Sequence, residues 1–590
     1  MRKLRRCISV LTAIGILVSL SSCSTASAVK TDEESGENSV IETYESRLFN
    51  TETVHTIDVS ISEEDWNDLK TNPLDKTKYK VNVTIDGETI ENVSFATKGN
   101  TSLSSVASDP DSDRYSFKIN FGKYTDGQTY YALNKLNLNN IYADATYMKD
   151  YLSYEIFRKA GVEAPLVSYV WLSINGEDHG LYAAIEDISE SYLSRVNEGQ
   201  GVLYKPESEQ LDQIAQAPDA QGGMMPPGGM QPADENGQPF NPAEGTEGNG
   251  QMPPMNPEGT VPEEGMAPPE GMTPSEGMTP PDGAMPGEGM TPPEGMTPPE
   301  GMQRPEMPEG AEPGGNMGFG SDAKGSDLKY TDDEISSYSD IFDNNETDAS
   351  EEDQQKVIAA LKALSENDSL ETYLDTDEVI RYFAAHNFVL NYDSYTGNML
   401  HNYYLYENEG KLSMLPWDYN LAFGAFGGAG GQKNAGSDQA TSLINTGIDT
   451  PLSGVSEEQR PMWSWIASDE AYLNQYHDVY DELLSSYFES GDFEKEIDQL
   501  YELILPYVEK DPSAFYTAEE FTSAVRTLKQ VCMLRAESIR AQLSGELSCR
   551  TDEQDPEKQI DASDISIQTM GSHGGPDQGQ PQGFNPSQQP

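Results

Sequence analysis

The sequence predicts an α+β fold in which a sheet-rich block precedes a helix-rich block, with a long insert between them. Apolar and polar residues alternate in short runs through residues 51–205, as they do in half-buried strands. Residues 206–325 are rich in Gly, Pro, Met and Glu, a composition that cannot bury a core. From residue 326 to residue 549 apolar residues recur at helical spacing. We therefore expect two folded blocks that flank a disordered insert.

The first block carries two clear strand patterns and two turn signals. Residues 78–85 and 115–121 alternate strictly, and Asp86-Gly87 and Asn175-Gly176 are dipeptides typical of two-residue hairpins. Residues 146–160 instead place apolar side chains on adjoining helical turns and end at a glycine. The block is predicted to be mostly antiparallel sheet with one helix.

The second block contains five segments with helical periodicity. In one of them Asp375 and Glu378 have the spacing of a capping box. The tail, residues 550–590, is polar and rich in Gln, Pro and Gly, and it is predicted to be disordered. The predicted helices span residues 351–367, 375–390, 469–489, 493–509 and 518–543.

The N-terminus predicts a lipoprotein signal peptide, residues 1–23. Basic residues precede an apolar run, residues 8–20, which is too short for an ordinary spanning helix and is followed by small residues and Cys23. We expect cleavage before Cys23, diacylation of its thiol, and anchoring on the outer face of a bacterial cytoplasmic membrane. Residues 24–50 then form a polar tether, and this lipid is the only membrane contact expected. The alternative is an uncleaved anchor with an incidental cysteine.

The charge of the chain argues against one class of partner. The formal net charge is -63, from 37 basic and 100 acidic side chains, so phosphate backbones are repelled and no nucleic acid is expected as a partner. Outside the signal segment the thiols are Cys532 and Cys549, which the sequence leaves open as a disulfide or as two free thiols. The regularly spaced methionines of the insert are interpreted as part of a spacer, with soft-metal binding as the alternative.

The densest functional pattern lies in residues 386–424. Asp393 follows a predicted helix, Asn398 comes five positions later, and Asp418 follows a predicted hairpin. Phosphoryl transfer needs mainly a carboxylate to orient the attacking hydroxyl and oxygen ligands to hold Mg²⁺ against the phosphates. Asp393 would orient the nucleophile, and Asn398 with Asp418 would hold the metal. This spacing also arises by chance, and the alternative is a set of loop residues that satisfy local turns.

Several segments taken together resemble the CotH family of protein kinase-like spore-coat proteins. The resemblance covers nearly all of residues 51–205 and residues 370–425. Its segments are residues 98–102, 136–140, 179–188, 391–393, 405–406 and 416–424, together with Asp144 and Asn398.

This resemblance implies an atypical protein kinase-like, two-lobed fold, with a sheet-rich N-lobe at 51–205 and a helical C-lobe at 326–549. It implies a phosphotransferase that uses ATP and Mg²⁺ and acts on Ser/Thr hydroxyls of surface or coat proteins. The alternative is a non-catalytic kinase-like scaffold for adhesion or assembly. A carbohydrate-associated surface protein is a third interpretation, but scattered aromatic residues such as Trp66 and Trp171 offer it no organised platform.

The resemblance also implies roles for residues of the first block. Lys98 and Ser102 would lie in a loop near the phosphates, and Lys118 would contact them, with Glu155 as a possible partner. Glu186 would end the hinge strand beside the adenine. The alternatives are a solvated strand lysine for Lys118, a surface helix acid for Glu155, and a cap of the following helix for Glu186 and Asp187.

One position departs from the family pattern. The family often has a second aspartate two residues after the metal carboxylate, and this chain has Asn420 there. An amide oxygen can still bind the metal, but it brings no charge.

Overall fold

The computed structural model describes residues 42–207, 323–426 and 439–572. The predicted lipidation site Cys23 and nearly all of the predicted insert lie outside these residues. Within them, every helix is too short or too polar to cross a bilayer.

Seven strands of the first block close into a barrel, in the order β1-β2-β3-β4-β5-β7-β6. Neighbouring strands are antiparallel except where β1 pairs in parallel with β6, from His55 opposite Val170 to Val59 opposite Ile174, and this pairing closes the barrel. The interior is a compact apolar core that includes Phe95, Phe117 and Leu136, all fully buried. The strands are β1 His55–Ser60, β2 Tyr79–Ile85, β3 Glu88–Lys98, β4 Ser116–Asn120, β5 Lys135–Asn139, β6 Val167–Ile174 and β7 Glu177–Glu186.

Both predicted hairpin turns are confirmed. Asp86 and Gly87 have φ of +47° and +88°, and Asn175 and Gly176 have φ of +55° and +79°. A turn with positive φ at both central residues matches the twist of the strands that it joins, which is why Asp-Gly and Asn-Gly are favoured there.

The five predicted helices are confirmed to within one residue at each end. Asp375 caps its helix by accepting a hydrogen bond from the Glu378 amide at 3.3 Å. A π-helical turn, Leu484–Phe488, extends the helix Glu470–Leu483. The helices are α1 Tyr44–Arg47, α2 Glu63–Thr71, α3 Thr101–Ala107, α4 Lys149–Lys159, α5 Glu190–Asn197, α6 Ser339–Phe342, α7 Glu351–Glu366, α8 Leu370–Tyr373, α9 Thr376–Val389, α10 Gln439–Ile444, α11 Pro461–Ser468, α12 Glu470–Leu483, α13 Asp492–Val508 and α14 Ala518–Ser544.

The first block holds more helix than the sequence predicted. Besides α4, the only helix expected there, it contains α2, α3 and α5, and α1 precedes it within the predicted tether, residues 24–50. None of these exceeds nine residues. Such lengths provide too few turns for a periodic pattern to emerge from the sequence.

A second sheet ties the two blocks together. Its three strands, in the order β10-β9-β8, are β8 Val202–Tyr204, β9 Tyr403–Asn408 and β10 Lys411–Pro416. The edge strand β8 therefore comes from the first block, and the β9-β10 hairpin comes from the second.

The prediction of a two-lobed, kinase-like fold is wrong. The seven strands do not form an open lobe sheet, because the parallel pairing of β1 with β6 closes them into a barrel. Helix α4 packs outside the barrel and shares one apolar core with the helices of the second block, where Phe157 contacts the rings of Tyr382 and Tyr419. The architecture is a barrel-containing α+β fold.

Candidate functional site

A pocket lies on the outer wall of the barrel, between the strands, α4 and the loop that follows β10. Lys98, Asn139, Ala183 and Tyr169 line it from β3, β5, β7 and β6. The adjacent residues along these strands, such as Leu138 and Ala184, belong to the barrel interior, so strand alternation turns the lining residues outward. The pocket measures about 570 Å³ including the solvent at its mouth.

Lys98 is the lysine of this pocket. It ends β3, and its Nζ donates to Asn139 Oδ1 at 2.7 Å and stands 5.8 Å from the centre of the Trp417 ring. Burial lowers the pKa of Lys98, whereas the carboxylates of Asp418 and Asp150 oppose that shift. The ammonium of this half-buried side chain therefore lies within reach of the charges of two acids.

Asp150 and Asp418 form an acidic pair in the same pocket. Asp150 Oδ1 accepts from the Tyr419 amide at 2.9 Å, and its Oδ2 accepts from Asn139 Nδ2 at 3.2 Å. Burial, and then the Asp418 charge, raise the pKa of Asp150 to about 7. Two carboxylates that repel each other in this way favour a proton or a cation between them.

The backbone of Asp418 is held in an unusual conformation. Its φ is +57°, a left-handed value that costs energy for a residue other than glycine. Its amide donates to the Tyr154 hydroxyl at 3.0 Å, and its carbonyl accepts from Asn391 Nδ2 at 3.3 Å. These contacts fix the loop, and within the described part of the chain the Asp418 carboxylate is left without a hydrogen bond.

Helix α4 presents Asp150 because Asp144 caps the start of that helix. Asp144 accepts from the Thr146 amide and from the Lys149 amide, each at 2.9 Å, and from the Thr146 hydroxyl at 2.6 Å. The Lys149 side chain is fully buried beneath this cap, and burial lowers its pKa while Asp144 raises it. The first turn of α4 is thus anchored on the pocket wall.

Asp393 is held by two neighbours from its own motif. His401 Nε2 lies 2.7 Å from Asp393 Oδ1, and Asn402 Nδ2 donates to Oδ2 at 3.1 Å and to the Asp393 carbonyl at 2.7 Å. Burial lowers the pKa of His401, but the charges of Asp393 and then Asp418 outweigh it, so this pKa is raised overall. His401 therefore contacts Asp393 and also lies within reach of the Asp418 charge.

Lys118 pairs with a different acid from the one suggested. Its Nζ lies 2.7 Å from Asp187 Oδ2, and Asn137 Nδ2 donates to the same oxygen at 2.9 Å. Glu155 instead binds Arg158 at 2.6 Å on the surface of α4. Lys118 does not line the pocket, but its charge reaches Lys98 and contributes to lowering the pKa of Lys98.

The remaining predicted site residues divide into two groups. Ser102 and Asn420 line the pocket beside Lys98 and Asp418. Asn398 is exposed and lies against Gly454, away from the lining residues. Glu186 is fully buried in an ion pair with Arg195 at 2.8 Å and accepts from the Tyr44 hydroxyl, so it supports the fold below the pocket.

Sequence reasoning missed three charged residues of this region. Asp150 was passed over because a first-turn helix acid is normally solvated. Asp187 was considered only as a possible helix cap. His401 stands eight residues after Asp393 inside the recognised motif, and a histidine that close to a candidate base was a usable signal.

Comparison with known proteins agrees with the motifs. Inner spore coat protein H of Bacillus subtilis (strain 168) is 26% identical to this chain over 77 residues, which are 13% of this chain and 21% of that protein. The chain thus matches about a fifth of the length of this curated relative. The family model described as CotH kinase protein matches residues 95–247 and 306–539, well over half of the chain. The chain therefore belongs to the CotH kinase protein family.

Proposed function

We propose that this protein transfers a phosphoryl group from Mg²⁺-bound ATP to Ser/Thr hydroxyls of a surface or coat protein. The main support is one pocket in which Lys98 faces Asp150 and Asp418, with the Asp393–His401 pair close enough for Asp418 to raise the pKa of His401. Phosphoryl transfer depends on such positioned charges more than on covalent chemistry.

The residues present fit a magnesium ion. Mg²⁺ takes hard oxygen ligands and needs only one or two carboxylates when the nucleotide phosphates supply the rest. Asp150 and Asp418 would hold it, with the amide oxygen of Asn420 beside them on the pocket wall. Burial, and then the Asp418 charge, raise the pKa of Asp150, and such a cation would relieve the repulsion between the two carboxylates.

The side chains can divide the transfer between them. Asp393 accepts the proton of the acceptor hydroxyl while the hydroxyl oxygen bonds to the γ-phosphorus. The bond from the γ-phosphorus to the bridging oxygen breaks, and that oxygen leaves with ADP. His401 fixes the orientation of Asp393 through their 2.7 Å contact, and Lys98 binds phosphate oxygens. When bound, Mg²⁺ neutralises charge on the phosphates.

The class of acceptor rests on the relative and on the N-terminus. The relative is by its name a spore coat protein, which supports a coat or surface protein as the acceptor. Diacylation at Cys23 would place the enzyme outside the cytoplasmic membrane, next to such acceptors.

The test is Mg²⁺-dependent labelling of the full chain and of casein, a generic acceptor, with radiolabelled ATP. We expect Asp393→Asn to abolish labelling but to retain the increase in melting temperature with Mg²⁺ and ATP. Asp418→Asn and Asp150→Asn should weaken both signals. Asp377→Asn is the matched control, because the Asp377 side chain is 71% exposed on α9 and does not line the pocket.

A second variant distinguishes the pocket from the motif. Asn398→Ala should retain labelling, since Asn398 is exposed against Gly454, whereas Asp393 is buried and contacts His401. If neither labelling nor a thermal shift appears at millimolar nucleotide and Mg²⁺, the transfer proposal is refuted and the chain is a scaffold of this family.

A further inference from the structure

Three residues with metal-binding side chains meet outside the pocket. Asp449 lies in the loop after α10, His477 lies on α12, and Cys549 follows α14. One ligand atom from each lies within 4.8 Å of the other two. None of the three lines the pocket described above.

Hydrogen bonds that do not involve the three metal-binding side chains hold these segments together. The Asp449 amide donates to the Cys549 carbonyl at 3.0 Å, and the Thr551 amide donates to Thr450 Oγ1 at 3.0 Å. A Cβ built on Gly447 would lie 2.4 Å from the Cys549 carbonyl oxygen, so the two segments of the chain are in contact at a position that only glycine fits. The cluster is therefore built on a fixed frame.

The donor set has the chemistry of a zinc site. Thiolate, imidazole and carboxylate bind Zn²⁺ at about 2.3, 2.0–2.1 and 2.0–2.2 Å, and their donor atoms then lie roughly 3–4 Å apart. His477 Nε2 and Asp449 Oδ1 are already 2.7 Å apart, and the thiol makes only a weak contact of 3.5 Å with the Gln542 carbonyl. For all three donors to reach coordination distance, the Cys549 thiol has to move toward the His477–Asp449 pair, and the two donor atoms of that pair have to move slightly apart.

The charges and exposure agree with a site that opens to solvent. The His477 and Asp449 side chains are 24% and 14% exposed, which leaves room for a water as fourth ligand. A thiolate and a carboxylate together also bring two negative charges to a divalent cation.

We propose that Asp449, His477 and Cys549 bind one Zn²⁺ ion and join the C-terminal segment to the helical core. Beyond Cys549 this segment runs back across the molecule. Its Ile560 amide donates to Asn445 Oδ1 at 3.0 Å, and its Met570 carbonyl accepts from the Ala145 amide at 3.3 Å, one residue from the Asp144 cap of the pocket helix. The metal would fasten the start of a strap that ends beside the pocket.

The test measures metal in the full chain after purification without chelators and dialysis against metal-free buffer. We expect one equivalent of zinc per chain, and after replacement with Co²⁺ a thiolate-to-metal absorption band. Cys549→Ser and His477→Gln should each lose the metal and the band. Cys532→Ala is the matched control, because its thiol is fully buried in α14 and should leave both signals unchanged.

A measurement on the unaltered chain covers the case in which a variant fails to fold. Zn²⁺ should protect Cys549 from alkylation, as read by peptide mass spectrometry, and should raise the melting temperature above that in EDTA. Absence of bound zinc together with absence of protection would overturn the proposal. Zinc retained undiminished by folded Cys549→Ser would overturn it as well.

Discussion

At the residue scale, Asp150 and Asp418 decide the charge of the pocket. Both are aspartates, yet their surroundings differ, because Asp150 is buried at the start of a helix and Asp418 sits in a strained loop. Burial and the neighbouring carboxylate raise the pKa of Asp150 to about 7. The pair therefore changes its charge near neutral pH.

This raised pKa predicts how the stability of the metal-free protein depends on pH. The ordinary pKa of this acid is 3.8, and in the folded chain it is about 7, so the folded state keeps the proton to a higher pH than the unfolded state does. The contribution of Asp150 to the free energy of unfolding is therefore fully present below pH 3.8 and is lost as the pH rises to about 7. The loss amounts to a few kcal/mol, from about 1.4 kcal/mol per pKa unit. We expect Asp150→Asn to flatten the curve of unfolding free energy between these pH values, as measured by urea denaturation.

Mg²⁺ provides the companion measurement. It should stabilise the unaltered chain more at pH 8 than at pH 5, because the ionised pair binds the cation better. A stability curve that Asp150→Asn leaves unchanged, with a magnesium effect independent of pH, would contradict the role given to this pair.

The site also shows how far residue-level reasoning from sequence reaches. Asp418 was predicted from the spacing of its motif, and Lys98, Ser102 and Asn420 from the resemblance to the CotH family, and the fold brings all four to one pocket. Asp150 could not be chosen in this way, because its burial follows from the packing of α4 against the barrel and the loop after β10. No local pattern encodes that contact.

At the scale of elements, local signals predicted what local forces decide. Helical periodicity and the caps gave the five helices of the second block, and Asp-Gly and Asn-Gly gave two hairpins. Closure of the barrel depends instead on β1 and β6, which lie more than a hundred residues apart in the chain. A pairing of that range leaves no signature in either strand, and so the fold class was wrong although its elements were largely right.

Two helix caps give a matched prediction about element stability. Thr517 caps the exposed start of α14 in a capping box, whereas Asp144 caps the buried start of α4 beside the Lys149 ammonium. Thr517→Ala should cost about 1 kcal/mol. Asp144→Ala should cost more, about 2–3 kcal/mol, since it removes three hydrogen bonds from a buried site. Equal losses in urea unfolding would show that burial adds nothing to the Asp144 cap.

At the scale of the whole molecule, one buried ion pair fastens the barrel to the helical part. Arg114 and Asp511 are both fully buried, with Arg114 Nη1 at 2.9 and 3.0 Å from the two carboxylate oxygens. Arg114 Nε also donates to the carbonyl of Asn140 at 3.0 Å, on the pocket wall. The contact thus joins the loop after α13 to the strands and to the site.

Breaking this pair from one side should be more damaging than removing it entirely. Asp511→Ala leaves the guanidinium buried and unpaired, at an expected cost of about 3–5 kcal/mol. The double variant Arg114→Met/Asp511→Leu should recover part of that loss, because no buried charge remains. Urea unfolding of the single and double variants makes the comparison, and a double variant less stable than Asp511→Ala would contradict it.

The last prediction concerns the long segment between the two blocks, residues 208–322. Two residues that flank this segment, Glu207 and Lys324, both bind the backbone of Asp340. The Glu207 amide donates to the Asp340 carbonyl at 3.0 Å, and the Asp340 amide donates to the Lys324 carbonyl at 3.1 Å. A short Gly/Ser linker in place of residues 210–320 therefore spans the gap without strain, and a shorter loop costs less entropy to close. We expect the shortened chain to keep its unfolding free energy to within about 1 kcal/mol and to keep its thermal shift with Mg²⁺ and ATP.

A chain with the same segment scrambled but unchanged in length and composition is the control, since a spacer tolerates both shortening and scrambling. A shortened chain that fails to fold while the scrambled chain folds would show that the segment's length matters, and loss of the nucleotide response in both would show that its sequence contributes to the pocket.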